Sequence, residues 1–220
     1  MQAEMPESSK ALQRLVWSGL ALVVLAILAG YLRQANARSH AGSGPAPPLP
    51  VLGQVTDFAL TNQDGQRVTL ADLRGQVWVA DVIFTICAGP CPRLTASFGS
   101  LQADLPTNQP VRLVTISTDP TFDTPAVLKR YGQRFHADFN RWTFLTGDKP
   151  GIVHLIQDGL KLIAKEKDAT EQENASDRFI HSTLFVVVDQ TGRLRAAFDG
   201  DEPASRAQIL KAIDRLLKEE

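Results

Sequence analysis

Cys87 and Cys91 are the only two cysteines of the 220-residue sequence, set in the stretch 82–92, Val-Ile-Phe-Thr-Ile-Cys-Ala-Gly-Pro-Cys-Pro. Cysteines at i and i+4 where a turn opens a helix bring both sulfurs to one side. There they are close enough for a disulfide or for two bonds to one metal ion. Two chemistries are therefore open, redox exchange and metal binding. A helix N-terminus adds partial positive charge and unpaired amides, which favour thiolate over thiol and ease either one. The plain alternative is a structural disulfide or two small buried residues. Glycine and prolines beside the cysteines, at a strand-to-helix junction, are poor packing choices and speak for a site.

Few other side chains could join them. Of the four histidines, His40 lies in a Pro/Gly-rich stretch, His136 follows the end of a helix and His154 sits within one; these read as structural or solvent-facing. His181 comes after a long polar stretch and opens a buried strand, a place from which its ring can turn toward the cysteine loop. Position alone leaves it undecided between ligand and structural residue. The two methionines, Met1 and Met5, precede a long apolar segment and cannot serve a soft metal site in the folded domain. Two cysteines are too few for a four-thiolate structural zinc site or a disulfide framework. Asp119-Pro120 reads as a turn that ends a strand. Asp81 lies inside an apolar strand, where a carboxylate needs a partner or a raised pKa; it serves structure or tunes the cysteines.

The elements that must position these residues fall into three parts. The apolar run 15–32 carries no charge, with Trp17 and Tyr31 near its ends. As a helix it rises about 27 Å, close to the hydrocarbon thickness of a bilayer. Ala35-Asn36-Ala37 resembles a leader-peptide cleavage pattern, but the run is longer than the h-region of a leader and reads as a retained single-pass anchor. Lys10 and Arg14 before it balance Arg33 and Arg38 after it, so charge leaves orientation tied. The short tail 1–14 is expected to stay inside while the domain is exported. Residues 33–50, rich in Pro, Gly and Ala toward their end, are expected to form a tether.

Residues 51–220 carry enough apolar sequence for one well-buried domain. A net charge of -1, from 23 basic and 24 acidic residues, with no basic stripe, excludes a general attraction for nucleic acid. A hairpin is predicted from 58–60 and 67–70 around Asp64-Gly65, then a buried strand over 77–84. The helix after Pro92 has Leu94, Phe98, Leu101 and Leu105 at helical spacing. A strand over 111–117 precedes a helix begun by Thr124-Pro125. A short strand over 142–145 precedes a helix over 151–163, with Ile152, Leu155, Ile156, Leu160 and Ile163 on its apolar side. Residues 165–177 are expected to be a mobile loop. Strands over 184–188 and 194–198 flank a turn at 189–192, and a helix over 204–217 closes the chain. This order predicts an α/β, thioredoxin-like fold with an N-terminal transmembrane helix, its cysteines at the carboxyl edge of the sheet.

Three motifs make the sequence similar to the Sco/SenC family: Phe84-Thr85-x-Cys87-x-x-x-Cys91-Pro92, then Thr115-Ile116-Ser117-Thr118-Asp119-Pro120 with Asp123-Thr124-Pro125, and His181-Ser182 leading to a Val-rich strand and Asp189. The resemblance implies a membrane-anchored copper protein of thioredoxin fold that helps assemble the binuclear copper centre of cytochrome c oxidase. It implies Cys87, Cys91 and His181 as ligands of Cu(I) or Cu(II), and the oxidase's copper-binding subunit as partner. It also implies an extracytoplasmic domain, on the periplasmic side of a bacterial inner membrane. One departure is Ala88, where the commonest family motif has proline.

Two thiolates and an imidazole suit copper, although a Cys, Cys, His and water site of catalytic zinc would use the same residue types. A second function is thiol-disulfide exchange, in which Cys87 and Cys91 act catalytically, keep a partner's copper-ligand cysteines reduced and depend on a thioredoxin-like reductant. A third, a thioredoxin-fold peroxidase, needs a cation beside the thiolate, and Arg93 is the nearest in sequence.

Overall fold

The computed structural model describes residues 7–41, 47–168, 170 and 178–219. They divide into two compact units, Met1–Pro47 and Pro48–Glu220. The first is one helix, α1 (Glu7–Ala41), whose segment Arg14–Gln34 is long and apolar enough to cross a bilayer. Every side chain from 14 to 34 is exposed. The helix runs on past residue 32 into the stretch read as tether, because residues 33–41 contain neither Gly nor Pro to stop it.

The second unit is built on an eight-stranded mixed sheet. Its strands are β1 (Gly53–Gln54), β2 (Ala59–Asn62), β3 (Arg67–Thr69), β4 (Val77–Ile83), β5 (Val111–Ser117), β6 (Trp142–Thr146), β9 (Leu184–Val188) and β10 (Arg193–Asp199), in the order β1-β10-β9-β4-β5-β6-β2-β3. β7 (Ala164–Glu166) and β8 (Phe179–His181) form a separate two-stranded hairpin. β4, β5 and β6 run parallel, so their carboxyl ends share one edge. All seven residues of β4 are buried. Alternation sends Val77, Val79 and Ile83 to the core under α3 (Cys91–Asp104), α4 (Pro125–Arg134) and α6 (Ser205–Leu216), while Trp78, Ala80 and Val82 face α2 (Leu70–Leu73) and α5 (Lys149–Val153). This is the predicted thioredoxin-like arrangement, with α2 and β1 added.

Two further expectations change. The helix over 151–163 is shorter: α5 widens into a π-helical turn over His154–Gly159, and Lys161, at φ 58, leaves the helical path. Ile163 is therefore 64% exposed instead of lying on an apolar face. Lys165 and Glu166 belong to β7, not to a loop; position 169 and residues 171–177 of that stretch lie outside the described residues.

The domain's first residues are fastened. The fully buried guanidinium of Arg195 donates to the carbonyls of Leu49 and Pro50 and pairs with Asp189 and Glu219, the last at 2.6 Å. Leu49 N–H donates to Glu219 at 3.1 Å.

Candidate metal centre

β4 ends at the sheet's carboxyl edge and delivers the chain into a tight turn. Cys87 N–H donates to the Phe84 carbonyl at 3.2 Å, and Gly89 N–H donates to Cys87 Sγ at 3.3 Å. Cys91 is the first residue of α3, with Pro90 at the N-cap and Pro92 in the first turn, where a missing N–H costs no helical bond. Thr95 Oγ1 donates to the Cys91 carbonyl at 2.9 Å and meets the Tyr131 hydroxyl at 2.8 Å, which ties this turn to α4. Both cysteines are free thiols; Cys91 has no exposure and Cys87 has 8%.

His181 does not open the strand Leu184–Val188 as the sequence suggested; it ends β8, opposite Ala164. Its Nδ1 lies 3.0 Å from the Ser182 carbonyl, which can only accept, so Nδ1 holds the proton and Nε2 presents a lone pair. Nε2 is 3.0 Å from Cys91 Sγ. The Phe84 ring meets the rings of Phe179 and His181 edge-on, at centroid separations of 5.2 and 5.8 Å, and seats the hairpin against the end of β4. The two sulfurs and a ring nitrogen all lie within 4.8 Å of one another. Donors that share one ion at about 2.0–2.3 Å stand slightly closer than this. The donor set is soft, so the site fits a thiophilic ion.

The two thiols are electrostatically unlike. The Cys91 thiol beside it brings Cys87 down to about 4 against the effect of burial, helped by His181 and the Gly89 amide. Cys91 is pushed up, first by its hydrogen bond to Cys87 and then by burial. Behind them Asp81, fully buried on the same face as Val79 and Ile83, is raised by burial to about 7. Thr115 Oγ1 donates to Asp81 Oδ1 at 2.5 Å and itself accepts from Trp142 Nε1 at 2.8 Å, while Asp81 Oδ2 has no hydrogen-bond partner. A raised pKa, not an ion pair, is how this carboxyl is accommodated.

The other candidates stand apart. His136 is exposed, and His154 is exposed and paired with Asp158 at 2.9 Å. The His40 side chain, Met1 and Met5 lie outside the described residues. Arg93 is exposed and grips Asp201 through two contacts of 2.8 Å. Ala88 is exposed, so its departure from proline meets solvent. Asp119 is a turn residue, as expected, and also accepts from Arg178 at 3.1 Å. Sequence reasoning assigned no role to Asp123, which is fully buried and accepts from the backbone and hydroxyl of Thr85 and from Ser117. Its place in the 119–125 motif was the signal.

Residues 52–218 match the family model described as SCO1/SenC. A SCO1 protein homolog of Bacillus subtilis is 35% identical over 166 residues, 74% of this chain and 83% of the relative. A solved structure of BsSco, described as a Sco family cytochrome c oxidase assembly protein with a disulfide switch, superposes with TM-score 0.69 at 31% identity, over 80% of this chain and all of that one. ScoI of Bradyrhizobium japonicum, solved with copper bound, gives TM-score 0.61 at 26% identity over 72% of this chain and 98% of that one.

Proposed function

The chain belongs to the SCO1/SenC family, and from that premise we propose that it is a copper metallochaperone serving assembly of the binuclear copper centre of cytochrome c oxidase. Cys87, Cys91 and His181 hold the ion, as Cu(I) or Cu(II), and the recipient is the oxidase's copper-binding subunit. The observation that carries this is the convergence of two sulfurs and one imidazole nitrogen within 4.8 Å at the sheet edge. Thiolates hold Cu(I), and sulfur with nitrogen also holds Cu(II). Three donors leave room for an incoming ligand, which release by exchange requires. The apolar segment of α1 anchors the protein by a single pass, at residues 15–32, and the domain works on the extracytoplasmic, periplasmic side. Nucleic acid has no part in it.

The test is metal analysis with absorption spectroscopy of the wild-type protein and Cys87→Ser. One copper per chain and a thiolate-to-Cu(II) charge-transfer band lost in Cys87→Ser is the expected result. Stoichiometric zinc in place of copper, or copper binding that survives loss of both cysteines, overturns it.

A second reading, thiol-disulfide exchange, is favoured by the contrast between the two thiols. The Cys87 thiolate attacks a partner disulfide and expels one partner sulfur as thiolate. Cys91 then gives up its proton and attacks Cys87 Sγ, releasing the partner as a dithiol and leaving a Cys87–Cys91 disulfide. A thioredoxin-like dithiol reductant restores the pair. This activity persists in His181→Ala, whereas copper binding through three donors does not.

A further inference from the structure

His181 is carried by a hairpin that shares no hydrogen-bonded ladder with the sheet that carries the cysteines. Its position over the cysteine turn therefore depends on the flanking connections 160–163 and 182–183, on the burial of Leu162, Ala164 and Phe179, and on side-chain links. Two of the links converge on one loop. Asp123 accepts from Thr85 N–H at 3.1 Å and from the Thr85 hydroxyl, two residues before Cys87. Asp119 accepts from Arg178 Nη1 at 3.1 Å, three residues before His181. Arg178 Nη2 donates at 3.1 Å to Glu166 on β7, so one guanidinium holds both strands of the hairpin to the loop.

The loop itself is cross-tied by hydrogen bonds. Asp123 N–H donates to the Asp119 carbonyl at 2.8 Å, Asp119 N–H to Ser117 Oγ at 3.0 Å, and Ser117 Oγ to Asp123. Thr118 N–H donates to the Ile83 carbonyl at 2.9 Å, joining the loop to the end of β4. Asp119 and Asp123 are both buried, where charge-assisted bonds hold geometry most firmly.

We propose that the loop 117–123 is a two-armed brace that sets the spacing between the cysteine turn and the histidine hairpin, Asp123 positioning Cys87 through Thr85 and Asp119 positioning His181 through Arg178. The brace rests on the reading of Cys87, Cys91 and His181 as copper ligands, and its arms act before metal arrives. It accounts for why two carboxylates four residues apart, neither near enough to share the metal group, are spent on the residues that flank its ligands.

The test compares Arg178→Gln, Asp119→Asn and Asp123→Asn with His181→Ala in the full-length protein. Amide hydrogen exchange is followed in the reduced, metal-free state, and the Cu(II) absorption and electron paramagnetic resonance spectra after loading. Arg178→Gln and Asp119→Asn are expected to speed exchange of the Lys167 and Ser182 amides about tenfold, the loss of one charged hydrogen bond, and to leave the Thr85 amide as it was. Asp123→Asn does the reverse. With copper, Arg178→Gln and Asp119→Asn move the spectrum toward that of His181→Ala, and Arg178→Lys restores it in part. Unchanged hairpin exchange and an unchanged Cu(II) spectrum in Arg178→Gln and Asp119→Asn, with an altered spectrum in His181→Ala, overturn the brace and leave the ligand reading standing. Faster exchange throughout the domain also overturns it. A wild-type spectrum in His181→Ala overturns the ligand reading instead, and the brace as a ligand-positioning device falls with it.

Discussion

Nε2 of His181 meets Sγ of Cys91 at 3.0 Å across a sequence separation of 90 residues, joining a partly exposed ring to a sulfur with no solvent exposure. Removing the imidazole takes one of three donors and the edge-on contact with Phe84. His181→Ala is expected to weaken Cu(II) by about a hundredfold or more, since even indirect changes at metal sites cost about 10–100-fold. Its cost to folding should stay near 1 kcal/mol. Competition titration against a chelator and thermal melting measure the two.

The thiol contrast predicts selective chemistry. With Cys87 held at about 4 it is thiolate at pH 6, while Cys91 stays protonated and buried. Iodoacetamide at pH 6 should label Cys87 well before Cys91, as read by peptide mass spectrometry. Because the Cys91 thiol is the largest cause of the lowering, Cys91→Ala should slow Cys87 labelling at that pH. Equal labelling of both cysteines in the wild type would refute the asymmetry.

Asp81 predicts a pH slope in stability. Its folded-state value of about 7 lies above the ordinary 3.8, so the folded protein holds this proton more tightly than the unfolded chain. The stability this confers is whole below about 4 and lost as pH rises through about 7. Asp81→Asn should therefore be nearly neutral at pH 4 and stabilising at pH 8 by on the order of 4 kcal/mol. Denaturant melts of the reduced, metal-free protein at the two pH values decide it; a variant with the wild-type slope would assign the slope to other groups.

Arg195 predicts a large loss. Burial works to raise Asp189, and Arg195, Thr191 and Arg193 overcome it and hold Asp189 at about 2. Arg195→Leu leaves that carboxylate buried without its strongest partner, a change that costs about 3–5 kcal/mol. It also frees the Leu49 and Pro50 carbonyls, so limited proteolysis should cut near 49–50 in the variant and not in the wild type. Calorimetry and the cleavage pattern are the measurements.

Much of this was legible in the sequence because it is local. β5 spans the predicted 111–117, and Thr124-Pro125 opens α4 with the Thr124 side chain accepting from Val127 N–H. Cys87 and Cys91 announce themselves by type and spacing. What was hidden is what depends on contacts distant in sequence. Lys165 and Glu166 are polar and without period, yet they pair with residues 179–180 because a partner strand supplies the order their own pattern lacks. Ile163 continues the apolar spacing of its helix, but the π turn and the left-handed Lys161 rotate it outward. The roles of Asp119 and Asp123 needed the hairpin and the cysteine turn to be brought to the same edge.

The ties from Arg195 and Glu219 to Leu49 fix where mechanical load passes into the domain. Arg195 follows Leu194, which pairs with Val188, which pairs with Trp78 near the start of β4; Cys87 lies beyond its other end. A seven-residue strand, about 20 Å long, separates the two poles. Tension along the chain preceding Pro48 is thus taken up by the buried guanidinium and the outer strands, and the thiols sit outside its line. A pull on Leu49 would thus enter the domain at the start of β4, opposite the edge that carries the two thiols.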